Sequence, residues 1–188
     1  MKNTRLGVQL LCSTVVIFIS SCATLPQPQV NDYYSPKESY STIGLMVSDD
    51  RGKSTVGSVG LTSFNMDGLD TIFSSILRND LNSNWNVNLD LNYAHDSQLH
   101  HFIDVSIQSC SFVSVDALLD DADGECSVKL VLRDSNKKSV YSETYIVNNN
   151  MRVSWPVMSK NTKIVKDLLQ RVSVKIYDDN TLRQKLGL

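Results

Sequence analysis

One short stretch has the residue types of a phosphate-binding loop. Arg51-Gly52-Lys53-Ser54-Thr55 follows a segment with strand-like alternation, and its glycine, lysine and hydroxyl groups could hold phosphate oxygens. The complete loop also requires a glycine five residues before Gly52 and a helix that begins at the lysine. Residue 47 is a valine, and the glycine-rich sequence Val56-Gly57-Ser58-Val59-Gly60 follows. We therefore predict no nucleotide binding.

The histidines and acidic residues do not have the spacing of a metal site. His100 and His101 are adjacent, so on a strand their side chains point to opposite faces, and His95 stands apart from them. In the acidic stretch 120–125, placing Gly124 at the sixth position of a calcium loop puts leucines at the first and twelfth positions, where carboxylates are required. We predict solvated side chains here, with no metal and no cofactor.

Two cysteines in the body of the chain, Cys110 and Cys126, could form a disulfide. If the strands around them make a hairpin centred on residue 118, the two face each other, and a non-hydrogen-bonded pair has a Cα separation of about 4.5 Å that a disulfide can bridge. Two buried thiols are the alternative. No histidine and acid accompany them as a catalytic cysteine requires. Ser135 and Lys138 have the spacing of one serine-nucleophile motif, but they belong to a lysine-rich turn, so we count no nucleophile. We therefore predict that the protein is not an enzyme.

The N-terminus has the organisation of an export signal. Lys2 and Arg5 precede 14 mostly apolar residues, 6–19, and the small residues Ser20 and Ser21 lead to Cys22. The apolar run is shorter than the roughly 20 residues that span a bilayer. The pattern predicts a cleaved signal peptide over 1–21.

The sequence Ile19-Ser20-Ser21-Cys22 resembles a bacterial lipobox. The resemblance implies that Cys22 becomes the first residue of the mature chain and carries a thioether-linked diacylglycerol, with a further acyl chain such as palmitate on its amino group. Ala23, in place of an aspartate, resembles lipoproteins sorted to the outer membrane, which implies a periplasm-facing domain anchored there. Inner-membrane or cell-surface attachment is less favoured, and the competing interpretation is an ordinary signal peptide followed by a chance cysteine.

Composition indicates a folded domain after a short linker. The chain has 188 residues, 41% hydrophobic and 20% charged, and its net charge of −2 argues against nucleic-acid binding. Residues 22–41 contain three of the four prolines and few aliphatic side chains. We predict a lipidated cysteine and flexible tether over 22–41, followed by a single domain over 42–188.

Hydrophobic periodicity predicts an α+β fold. Apolar residues at helical spacing predict amphipathic helices over 69–81 and 161–177. Alternation predicts about five strands, the third interrupted by a bulge, over 42–48, 85–93, 103–115, 126–132 and 140–147. The economical arrangement, in the order β-α-β-β-β-β-α, is one mostly antiparallel sheet with both helices packed on one face.

The assembled pattern resembles the YajG-like family of small envelope lipoproteins. The matching features are the lipobox, the proline-rich spacer, a strand that ends Val47-Ser48-Asp49-Asp50-Arg51 before a glycine, the strand around 103–107, and the two helices. The family implies no active residues. Trp155, Pro156, Val157 and Met158 form an apolar stretch that is either a partner patch or a lid on the core. We expect a non-catalytic lipoprotein that docks an envelope protein; the alternative is a carrier of lipid, lipopolysaccharide or a small ligand.

Overall fold

A long central strand organises the sheet. The computed structural model describes residues 22–24, 41–91, 99–114, 121–152 and 158–188. The elements in chain order are β1 (Cys22–Thr24), β2 (Thr42–Asp49), β3 (Thr55–Val59), β4 (Thr62–Asn65), α1 (Leu69–Trp85), β5 (Asn88–Asp90), β6 (His101–Ser114), β7 (Asp121–Asp134), β8 (Ser139–Arg152), α2 (Met158–Tyr177) and α3 (Asn180–Lys185).

The sheet is mixed, so the prediction of a mostly antiparallel sheet of about five strands is wrong. One edge of β6 pairs with β7 in antiparallel orientation, and β7 pairs likewise with β8. The other edge of β6 pairs in parallel with β2 along its first half and with β3 along its second half. A parallel pair needs a long crossover, and β3, β4 and α1 provide it between β2 and β6. Alternation along a strand carries no information about the direction of its neighbour.

Three strands were not predicted: β1 lies in the segment predicted as a tether, and β3 and β4 lie in the glycine-rich segment after β2. β3 and β4 form an antiparallel hairpin, and β1 pairs in parallel with β4 as Cys22↔Ser63, Ala23↔Phe64 and Thr24↔Asn65. Gly57 is required by close packing, since a Cβ there would lie 2.5 Å from Cε1 of Phe112. Short strands and missing side chains weaken the alternation that sequence patterns detect.

Helix α1 extends beyond its predicted end and replaces the start of a predicted strand. It runs to Trp85, whose indole Nε1 donates a hydrogen bond of 2.9 Å to the Tyr177 carbonyl, and Asn86 ends it in the left-handed conformation at φ 59°. Only β5 remains of the strand predicted over 85–93 among the described residues.

Both long helices pack on the same face of the sheet. They contact one another through Asp80 of α1, which accepts hydrogen bonds from Gln170 at 2.5 Å and Ser173 at 2.6 Å on α2. Their apolar stripes and the inner face of the sheet form one buried core. The α+β class and the shared helix face are therefore confirmed, while α3 is a third helix beyond the two predicted.

A bulge in β6 is confirmed, but it lies just before the stretch 109–112 where the apolar alternation places it. The register of β6 against β7 shifts between Ile107 and Ser109, at the point where the partner on the other edge changes from β2 to β3. A bulge bends and twists a strand, which lets one strand serve two successive neighbours.

Candidate functional site

Cys22, the residue predicted to carry lipid, begins β1. Because β1 runs parallel to β4, Cys22 lies beside the start of β4, next to the β3–β4 turn. β6 ends and β7 begins at this level of the sheet, since Val59 of β3 is in register with Ser114. We call this level the Cys22 end of the sheet. Residues 22–24 of the predicted tether form β1. The predicted signal peptide and residues 25–40 lie outside the described residues.

An exposed apolar side chain marks the Cys22 end. Leu61 lies in the β3–β4 turn and is 79% exposed, more than any other large hydrophobic residue in the described part of the chain. Val113, near the end of β6, is 51% exposed. Leaving these side chains in water costs the free energy that burial against an apolar partner would recover.

Arg51 follows β2 and precedes β3, and its side chain is buried. Its side chain is 5% exposed. Nε and Nη2 donate to the two carboxylate oxygens of Asp49, each at 2.7 Å, and Nη2 also donates to the Met66 carbonyl at 3.0 Å. Asp50 instead accepts a bond of 2.5 Å from the Ser106 hydroxyl. The two adjacent aspartates, Asp49 and Asp50, therefore bind different partners.

The segment 51–55 does not form a phosphate-binding loop. Gly52 adopts a left-handed φ of 69°, and Thr55 begins a strand where the loop would require a helix. Lys53 lines an open cleft of about 480 Å³ together with Asp67 and Asp70, two carboxylates that disfavour phosphate. The structure gives no support to nucleotide binding here.

Cys110 and Cys126 lie directly opposite each other on β6 and β7, and both are buried as free thiols. The carbonyl of Ser114 accepts a hydrogen bond from Gly60 on the β3 side of β6. Along a strand, the N–H and C=O of every second residue point to the same edge. The N–H and C=O of Cys110, four residues before Ser114, therefore also point toward the β3 edge and away from β7. The cysteines therefore form a non-hydrogen-bonded pair, the closer of the two kinds of antiparallel pair.

The two thiols and Arg51 interact across the core. The hydrogen bond with Cys126 and then burial raise the pKa of Cys110 well above its ordinary value, while the positive charge of Arg51 acts in the opposite direction. Nη1 of Arg51 is buried without a hydrogen-bond partner among the described residues. A thiol held protonated in the core is a poor nucleophile, and the disulfide stays a prediction.

A second polar cluster joins the C-terminal helix to the sheet. The hydroxyls of Tyr141 and Tyr145 both donate to Oδ2 of Asp179 at 2.6 Å, while its Oδ1 accepts from the backbone N–H of Leu182 and caps α3. Burial would raise the pKa of Asp179, but these three hydrogen bonds outweigh it and the net pKa is lowered. Burial, followed by the bond to Asp179, raises the pKa of Tyr141 to about 12. The cluster is a structural clamp.

The histidines, the acidic stretch and the predicted partner patch are only partly covered by the described residues. Among the described residues no three histidine, cysteine or acidic side chains are grouped as metal ligands would be. Residues 155–157 of the predicted partner patch lie outside the described residues; Met158 begins α2, and its side chain is not described. In the part of the chain that the structure describes, no helix has the length and apolarity to cross a bilayer.

Sequence reasoning missed the links that only the tertiary fold creates. Asp179 meets two tyrosines from β8, more than thirty positions earlier in the chain. Nothing in the local pattern of either segment indicates this pairing. Leu61 carried a detectable signal, since it is a lone leucine in the turn-forming sequence Gly60-Leu61-Thr62.

The fold is similar to that of a bacterial protein of very different sequence. No protein-family model matches the chain, and no curated protein matches its sequence. Protein XCC0632 from Xanthomonas campestris, described under the family DUF330, is similar in structure with a TM-score of 0.56 at 10% identity, over 89% of this chain and 98% of that one. A minor lipoprotein from Acinetobacter baumannii gives a TM-score of 0.49 at 8% identity, over 78% and 95% of the two chains.

Proposed function

We propose that the chain is a lipid-anchored, non-catalytic lipoprotein of the bacterial envelope that docks a partner protein during envelope assembly or maintenance. The observation that carries the proposal is the position of Cys22. The residue that the lipobox-like sequence marks for acylation is also the first residue of a strand on the folded sheet. Two or three acyl chains on one cysteine hold a protein on a membrane far more firmly than a single chain does.

The filled core between the helices and the sheet favours partner docking over lipid carriage. A carrier needs a cavity between the helices and the sheet, and large side chains fill that space in the described part of the chain, Phe73, Leu77, Phe112 and Ile103 among them. The depression between α1 and α2 is about 170 Å³ and is lined by polar as well as apolar residues, including Asp80 and Gln170. Lipid chains prefer larger apolar pockets.

The proposal includes a relationship to a lipoprotein family and attachment to a particular membrane. The strand end Asp49-Asp50-Arg51 followed by Gly52 supports a relationship to YajG-like lipoproteins. Ala23 after the lipidated cysteine supports sorting to the outer membrane, with the domain in the periplasm.

We assign the partner contact to Trp155, Pro156, Val157 and Met158. The free edge of β8 is a poorer candidate, because Nζ of Lys175 donates to its Ile146 carbonyl at 2.6 Å. Lys175 belongs to α2, and by occupying this carbonyl with a charged group it opposes the addition of another strand at that edge. An apolar stretch rich in aromatic and methionine side chains is typical of partner contacts.

The test is crosslinking in intact cells that carry the C-terminally tagged full chain, followed by purification from membranes. We expect an acylated wild-type protein and a discrete crosslinked envelope protein. Cys22→Ala should lose the acyl group, the membrane association and the crosslink. Trp155→Ser should keep the anchor and lose the crosslink, whereas Leu91→Ser, which alters another exposed apolar residue, should retain both.

Three outcomes would count against the proposal. A Cys22→Ala protein that remains processed and membrane-bound would contradict lipid anchoring. Recovery of lipid or lipopolysaccharide without a protein partner would favour the carrier. A crosslink that survives Trp155→Ser would contradict the assigned contact.

A further inference from the structure

The direction of β1 fixes where the lipid anchor lies relative to the domain. In the parallel pairing with β4, Cys22 lies opposite Ser63, and the chain then runs away from the β3–β4 turn. Neighbouring strands are about 4.8 Å apart and each residue advances about 3.3 Å. The Cα atoms of Cys22 and the turn residue Leu61 are therefore about 8 Å apart.

An apolar side chain lies two residues before Ser63, in the β3–β4 turn. Leu61 is 79% exposed in the turn. A leucine at the tip of a hairpin is unlike the polar residues that favour tight turns. Val113 is exposed at the same end of the sheet.

An anchor held this close excludes a long spacer at the membrane. An unpaired tether over 22–41 could separate the domain from the bilayer by roughly 60 Å when extended. With Cys22–Thr24 paired to β4, the acyl chains proposed on Cys22 would be attached at the edge of the sheet itself. The β3–β4 turn then meets the lipid surface before any other described strand connection does.

We propose that the β3–β4 turn, through Leu61, inserts into the interfacial layer of the phospholipid bilayer that holds the acyl chains of Cys22. The sheet thereby stands with its Cys22 end on the membrane and its opposite end, at the β7–β8 turn, away from it. This inference rests on the lipid anchoring proposed above and adds to it an orientation and a second contact.

The test places an environment-sensitive fluorophore at one position at a time in the lipidated full chain. Leu61→Cys is the test variant, and Val140→Cys is the matched control, since Val140 is 39% exposed beside the β7–β8 turn. Labelling under native conditions spares the buried Cys110 and Cys126. Each protein is reconstituted in phosphatidylethanolamine–phosphatidylglycerol vesicles that contain a nitroxide-labelled acyl chain.

We expect emission at position 61 to shift to the blue and fall about two-fold or more, because interfacial side chains lie within reach of the acyl chains. Position 140 should keep its aqueous emission. Inserting four glycine and serine residues between Ala23 and Thr24 should release the orientation and reduce quenching at position 61, without releasing the protein from vesicles.

Failure of lipid anchoring and failure of the proposed orientation give different results in this test. If the protein does not float with vesicles, lipid anchoring is wrong and the orientation with it. If it floats but position 61 is quenched no more than position 140, anchoring stands and the proposed orientation is overturned. Equal quenching before and after the insertion would show that pairing of β1 with β4 does not orient the domain.

Discussion

Arg51 and Asp49 form a bidentate ion pair at the point where β6 exchanges one parallel neighbour for another. Nε and Nη2 of Arg51 each bond one oxygen of Asp49 at 2.7 Å, and the arginine side chain is 95% removed from water. Nη2 of Arg51 also donates to the Met66 carbonyl, which follows β4, so the arginine links the end of β2 to the segment after the β3–β4 hairpin.

Loss of Asp49 should destabilise the protein because it leaves a buried guanidinium without its counter-charge. We expect Asp49→Asn to lower the free energy of unfolding by about 2–3 kcal/mol, at the low end for a buried pair because the carboxylate is partly exposed. Urea denaturation measures the change. The control is Asp167→Asn, which breaks the exposed pair with Arg171 and should cost less than about 0.5 kcal/mol. Equal effects would show that burial of Arg51 is not important.

Cys110 and Cys126 should be joined by a disulfide in protein isolated from an oxidising envelope. Forming the bond removes one hydrogen from each thiol and passes two electrons to an oxidant such as a protein disulfide. Because both sulfurs are buried, oxidation must precede complete folding. Closing this loop should stabilise the protein by about 3 kcal/mol. Mass spectrometry after alkylation in denaturant, with and without reductant, measures the bond.

The control for the disulfide is the double variant Cys110→Ala and Cys126→Ala. Its stability should not respond to reductant, whereas that of the wild type should fall. Alkylation of both thiols in unreduced, denatured protein would contradict the prediction. In the dithiol form the raised pKa of Cys110 should prevent alkylation until the protein unfolds.

The clamp on α3 should respond to pH in both directions. The pKa of Asp179 is lowered in the folded protein, so its contribution is present at neutral pH and is lost as pH falls through that value. The pKa of Tyr141 is raised to about 12, so its contribution is present below pH 10 and is lost as pH rises toward 12.

Asp179→Ala should therefore cost about 2 kcal/mol at neutral pH, through the lost helix cap and the lost hydrogen bonds. The difference from wild type should shrink in acid. Tyr141→Phe, which keeps the ring and removes one donor, should cost less and should weaken the alkaline loss. Thermal denaturation across pH measures both, and a pH-independent difference for Asp179→Ala would contradict the assigned ionisation.

Gly57 should not accept a side chain, because Phe112 occupies the space. A Cβ would lie 2.5 to 2.7 Å from three ring carbons, all on a fully buried residue. We expect Gly57→Ala to cost about 1–3 kcal/mol through forced repacking. The comparison is Gly187→Ala, where nothing lies within 4 Å and only the left-handed φ of 76° opposes substitution. A smaller cost at position 57 than at 187 would contradict the packing argument.

The sequence predicted those features that depend on local periodicity. The start of α1, most of α2, the bulge in β6 and the α+β class follow from spacing of apolar side chains. Strand direction did not follow, because the alternation of β2 is the same beside a parallel or an antiparallel partner. Residues 85–93 alternate like a strand, yet Trp85 belongs to α1 because tertiary packing against Tyr177 outweighs the pattern.

The residues of the candidate site also differ in whether the local sequence predicts them. Cys22 is marked by a linear signal that needs no structure, and the Cys110–Cys126 register follows from counting across one hairpin. The burial of Arg51 and the sharing of Asp179 by two tyrosines require strands far apart in the chain to be in place. Such contacts leave no local periodicity to detect.

The division of one edge of β6 between two strands has a consequence for the order of folding. The meander β6–β7–β8 joins sequence neighbours, so its loops close cheaply and it can nucleate early. Pairing β2 with β6 closes a much longer loop, as the bond from Ser48 to Val105, 57 residues apart, shows. β2 and the β3–β4 hairpin must then be added to the same edge in matching registers. Until both arrive, the meander presents a bare strand edge, and we expect this stage to be the slow and aggregation-prone step of folding.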